Sequence, residues 1–120
     1  MKCYRRGERV VYVPRWKSQR ERYERGELKE PVMCVMTPLT RGELKGYIQA
    51  DAGDIEKVAA EIFEKHIVEI RNLSVGGKPV ETGRALWELD DAPPELEELV
   101  SELLGALLDS SVLDEGALKK

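Results

Sequence analysis

Few residues in this 120-residue chain are of a type that does chemistry. His66 is the only histidine, and Cys3 and Cys34 are the only cysteines. One histidine cannot build a multi-histidine metal site, and the cysteine spacing makes neither a disulfide framework nor a metal knuckle. His66 has the right chemistry for proton transfer. It stands beside an apolar stripe near a helix end, where a packed or capping imidazole is the simpler expectation. Gly76-Gly77-Lys78 evokes a phosphate loop, but the first glycine is missing and Pro79 stands where Ser or Thr would bind magnesium. The carboxylates fall on helix surfaces without metal-ligand spacing. There is no nucleophile elbow, no HExxH and no glycine-rich dinucleotide loop. The expectation is a non-enzyme with no catalytic residue, no cofactor and no metal.

Charge is more informative than chemistry. Nineteen basic and 23 acidic residues give a net charge of −4. Residues 1–30 carry ten Lys/Arg and five Asp/Glu, a net of +5, and residues 31–120 carry −9. Between Ala85 and Leu118 there is no basic residue, while ten acidic ones lie between Glu88 and Glu115. Such a split points to a macromolecular partner or to attraction between the two halves. Trp16 and Tyr23 interleave with basic residues in a pattern that also suits nucleic acid. Four glutamates in the same segment argue against phosphates, and no nucleic-acid-binding signature accompanies it. Three Asn and Gln in a chain that is 35% charged is a thermophile tendency.

These residues must be positioned by short elements. Arg9–Val13 is β-branched and aromatic and ends at Pro14; Val32–Met36 is a second apolar run between Pro31 and Pro38. Antiparallel pairing of the two is the simplest topology. The connection from Arg15 to Glu30 is long for a hairpin and almost devoid of apolar residues, so it reads as a mobile loop with room for a helical turn. Thr40 and Glu43 form a capping box opening a helix to about Gln49. Asp51 or Asp54 caps the next helix, whose apolar positions Ile55, Val58, Ala59, Ile62, Phe63, Ile67 and Ile70 keep helical spacing. Gly76-Gly77 marks a turn. Val68, Ile70 and Leu73 either close that helix or begin a small hairpin with Val80. Thr82 caps a short helix. Pro93-Pro94 then opens a leucine-striped helix from Leu96 to Leu108, ended by Ser110-Ser111.

The fold class is therefore α+β: a small N-terminal antiparallel β-hairpin with a long basic loop, followed by a mainly α-helical bundle of about four helices. One domain is expected over residues 1–120. Residues 1–39 hold the hairpin, with a mobile loop at 15–30; residues 40–113 are helical; 114–120 form a frayed tail. No apolar run approaches the ~18 residues of a membrane span. Lys2, Arg5 and Arg6 lead into no apolar stretch, so no secretory leader is expected.

The order of segments resembles the tail assembly chaperones of long-tailed, lambda-like bacteriophages. The residues that carry the resemblance are Tyr12-Val13-Pro14-Arg15-Trp16, then Met36-Thr37-Pro38-Leu39-Thr40 and the helix from Ile55. Asn72-Leu73-Ser74-Val75-Gly76-Gly77-Lys78-Pro79-Val80-Glu81-Thr82-Gly83 is the most similar part. Pro94-Glu95-Leu96-Glu97-Glu98-Leu99 and Ser110-Ser111-Val112-Leu113 complete it, so that residues 4–113 are covered. The resemblance implies a protein of the host cytoplasm, made during phage assembly. It would keep the tape measure protein soluble, help recruit tail tube protein and be absent from the virion. A frameshift-extended second product is a further property of that family, for which Lys119-Lys120 is a weak coding hint.

Two surfaces are candidates for partner binding and self-association. One is basic: Arg20, Arg22 and Arg25. The other is the leucine stripe, Leu96, Leu99, Leu103 and Leu107, for which core packing against the helix from Ile55 is the alternative. A structural head-tail connector or other virion component, and a small nucleic-acid-binding regulator, are the alternative functions.

Overall fold

The computed structural model describes residues 3–118. It is an α+β fold. The chain runs β1 (Val10–Tyr12), a 3-10 turn (Trp16–Ser18), α1 (Gln19–Glu24), β2 (Met33–Met36), α2 (Arg41–Gln49), α3 (Ile55–His66) and β3 (Ile67–Arg71). A two-stranded ribbon follows, β4 (Ser74–Val75) and β5 (Lys78–Pro79), then α4 (Gly83–Trp87), α5 (Leu96–Leu108) and α6 (Ser110–Gly116).

The expected β1–β2 hairpin is present, antiparallel, with Val10 opposite Met36 and Tyr12 opposite Cys34. It belongs to a three-stranded sheet in the order β1-β2-β3. The third strand corrects the helix expected to run to Ile70. Helix α3 stops at His66, whose carbonyl accepts from the Thr37 N–H at 2.9 Å and so opens the ladder to β2. Ile67 pairs with Met36, Glu69 with Val35, and Ile70 with Cys34, which leaves Val68 as an extra residue bulged out of the ladder. Alternation alone would send residues three apart to opposite faces. The bulge resets the phase, so Ile67 and Ile70 both enter the core. Their i, i+3 spacing imitates a helix for that reason.

The ribbon is a two-residue hairpin. Gly76 and Gly77 have φ of 59° and 80°, the pair of positive values a type I′ turn requires. Thr82 caps α4 by accepting from the Ala85 N–H. Gly83 then packs so closely on α3 that a Cβ would lie 2.2 Å from the Phe63 carbonyl oxygen.

The long basic connection is not a free loop. Lys17 and Ser18 adopt φ of 50° and 57°, which turns the chain back on itself and starts α1. The Arg20 N–H donates to the Pro14 carbonyl. The segment expected as a frayed tail is also ordered as far as it is described. Asp109 caps α6 by accepting from the Ser111 N–H. Ala117 then bridges to Tyr12 in antiparallel fashion, and the Leu118 N–H donates to the Val11 carbonyl at 2.7 Å. Among the described residues, the region beyond residue 40 thus holds five helices interrupted by a strand and a ribbon. The core joins the inner face of the sheet (Val10, Tyr12, Cys34, Met36, Ile67, Ile70) to Phe63, Leu86, Leu99, Leu103 and Leu113.

Candidate functional site

Three arrangements of side chains bear on function: two polar clusters and one groove. The first centres on Glu102. It lies three residues after Leu99 and four before Ala106 on α5, both fully buried, so its carboxylate is carried toward the core side of the helix. There it accepts from the Tyr12 hydroxyl at 2.7 Å, the Arg15 N–H at 2.7 Å and the Trp16 N–H at 2.9 Å. Arg20 faces the same carboxylate at 3.8 Å. The carboxylate thereby caps the 3-10 turn from outside, supplying an acceptor for helix-end N–H groups that otherwise have none. Burial first, and then the hydrogen bond to Glu102, push the Tyr12 phenol above its usual range.

Arg20 was expected on an exposed loop as a partner contact. It is instead internal, with 8% of its surface exposed. Its Nε donates to the Val13 carbonyl at 2.8 Å, and its guanidinium lies 5.3 Å from the centre of the Tyr12 ring. The reversal at Lys17 and Ser18 is what folds it inward. Arg22 and Arg25 are exposed on α1 and beyond it, and Arg25 pairs with Glu27. The structure therefore separates the basic trio into one structural arginine and two surface ones.

The second cluster centres on His66. Nε2 lies 2.7 Å from Glu43 Oε2, and Nδ1 lies 2.9 Å from Thr37 Oγ1 and 3.1 Å from the Thr37 carbonyl. Lys65 adds a contact to the same Glu43 oxygen at 3.1 Å. Burial alone would raise the Glu43 pKa. The Thr40 N–H, His66, Lys65 and the Thr40 hydroxyl outweigh it and hold the carboxyl at about 2. Hydroxyl, imidazole and carboxylate in a row is the connectivity of a hydrolase triad. Here the imidazole is 4% exposed, and Glu43 is simultaneously the capping-box residue of α2. The cluster clamps α2, α3 and the end of β2 together, which fits the packed reading of His66. Among the described residues no three His, Cys, Asp or Glu side chains come together as a metal site.

The leucine stripe is core and not surface. Leu96, Leu99, Leu103 and Leu107 are all at most 5% exposed, because α5 packs against α3, α6 and the 3-10 turn. Leu96 borders open space. It lies in the floor of a groove of about 280 Å³ between α3, α4 and the start of α5. Leu86, Trp87, Leu89 and Val100 add to the apolar lining, with Ala92 and Pro93-Pro94 beside them, and Glu56, Asp90 and Glu97 stand on it as acids. Leu86 is buried, Trp87, Leu89 and Val100 are half-buried, and the three acids are exposed. Trp87 is held by Phe63, ring centres 5.0 Å apart and tilted by 57°. Among the described residues no Lys, Arg or His lines this groove.

Sequence reasoning found Leu96 and the acidic character of this region. It missed Glu102, Trp87 and the link from Glu43 to His66. Only Glu102 carried a local signal, its place on the same helical face as Leu99 and Ala106. Among the described residues no helix is long and apolar enough to cross a membrane. No protein-family model, curated protein or solved structure matches the chain.

Proposed function

We propose that this chain is a tail assembly chaperone of a long-tailed bacteriophage, acting in the host cytoplasm on the tape measure protein and aiding recruitment of tail tube subunits. The observation that carries the reading is the acid-lined groove with Leu86 and Leu96 in its floor, a surface suited to the side chains of another protein. Its volume of about 280 Å³ falls just below the ~300–1,000 Å³ of small-molecule sites. The residues that resemble the family support the same reading from another side. Gly76-Gly77, Thr82 and Gly83 each set backbone geometry, as described above, so the similar segment is a determinant of fold and not a catalytic motif.

Co-expression with the tape measure protein of the same phage tests this. The chain should carry that protein into the soluble fraction, co-purify with it and be missing from finished particles. A chain that leaves the tape measure protein insoluble and stays in purified particles would instead be a head-tail connector or another virion component.

A further inference from the structure

We propose that the groove between α3, α4 and the N-terminal turn of α5 takes the apolar face of a basic amphipathic helix from a protein partner. This rests on the protein-binding reading above and adds where the partner sits and which charge it carries. Charge is the first argument. Glu56, Asp90 and Glu97 line the groove with no basic counterpart among the described residues, and the chain from Ala85 to Leu118 has no basic residue to neutralise them. The nearest arginine on α4, Arg84, is engaged by Glu64 and Glu88, each at 3.1 Å. Two acids nearby are matched within the chain: Glu95, just before α5, meets Lys17 at 3.0 Å, and Glu102 meets Arg20. Among the described residues Glu56, Asp90 and Glu97 have no such match, so a partner's Lys or Arg supplies it.

Shape is the second argument. Half-buried Trp87, Leu89 and Val100 with buried Leu86 and Leu96 make a trough with an apolar floor, lined also by exposed carboxylates. An amphipathic helix anchored by residues three and four apart fits such a trough, its flanking cations meeting the rim. Acid at the rim with apolar residues at the floor selects against an acidic helix as well as for a basic one.

The test uses the full chain and two synthetic 20-residue peptides with one leucine stripe, one flanked by lysines and the other by glutamates. In amide NMR titrations the lysine peptide should shift Glu56 and Leu86–Val100, and the glutamate peptide should leave them unmoved. In the variant Asp90→Lys/Glu97→Lys, folded by circular dichroism, lysine-peptide affinity should fall at least tenfold. Leu89→Ala, which alters no charge, should weaken it severalfold. Equal binding of both peptides, or shifts that map to α1 or the sheet, would overturn the proposal. So would a concentration-dependent dimer abolished by Asp90→Lys/Glu97→Lys, which would place a second copy in the groove. A charge-reversed variant that still solubilises the tape measure protein would overturn the groove assignment and leave the chaperone reading standing. Wild type that binds the lysine peptide but not the tape measure protein would do the reverse.

Discussion

Glu102 and Glu43 are two carboxylates whose roles are set by what donates to them. Glu102 satisfies a buried phenol and two backbone N–H groups at once. Truncating it orphans those donors and leaves Arg20 with an unpaired charge. Such losses are costly because a desolvated donor has no water to fall back on. Glu102→Ala should therefore lower unfolding free energy by about 3 kcal/mol, read from urea melts, and Glu102→Gln by less. Glu43 makes a prediction about pH. Its folded pKa of about 2 lies below its ordinary 4.5, so the folded state favours the carboxylate. That contribution is fully present above pH 4.5 and is lost as pH falls toward 2. Between those values wild type should lose about 2 kcal/mol that Glu43→Gln, already without the charge, does not lose.

At the scale of elements, glycines of the same type have opposite expectations. Gly83 sits at the junction of α4 with α3 and β3, where a Cβ would meet Phe63 backbone and the Ile67 side chain at 2.2 and 2.6 Å. Backbone cannot rotate out of the way, so Gly83→Ala should destabilise by at least about 2 kcal/mol. Gly105, inside α5, has no atom within 4 Å of a built Cβ. Gly105→Ala should stabilise by about 1 kcal/mol through helix propensity. Thermal melts of the two variants, run beside wild type, separate the cases. The same scale shows how legible the fold was. The β1–β2 pairing, the capping box of α2 and the cap of α4 were all readable, because each depends on residues adjacent in sequence or on strong runs. The third strand was not. Ile67 and Ile70 enter the core from a bulged strand with the spacing of a helix, and only the partner strand distinguishes the two. The ordered 15–30 segment was hidden for a similar reason. Its anchors, Glu102 for Trp16 and the Pro31–Val32 neighbourhood for Gln19, lie across the chain; the Val32 N–H donates to Gln19 at 2.9 Å.

For the whole molecule, the charge split meets within one chain. The basic N-terminal segment reaches the acidic C-terminal helix through Lys17–Glu95 and Arg20–Glu102. One of these pairs is half-exposed and therefore weak. The other is one contact within a cluster of hydrogen bonds, which salt screens little. Unfolding free energy should accordingly change by less than about 1 kcal/mol between 0.05 and 1 M NaCl. Capture of a basic partner by the groove should weaken steeply over the same range, because its acids face solvent. Calorimetry of the chain alone, and of the complex, at the two salt concentrations checks both statements.

By itself the sequence determined the class of fold and the turn and cap chemistry. Those features follow from local sterics and from periodic burial, which neighbouring residues decide. The tertiary structure decided which charges are spent internally and which remain. Arg20 and the leucine stripe passed from candidate surface to interior, since the chain reversal at Lys17 and the packing of α5 bury them. The groove acids emerged among those without a partner in the described residues, because matching is a property of distances between elements far apart in the chain.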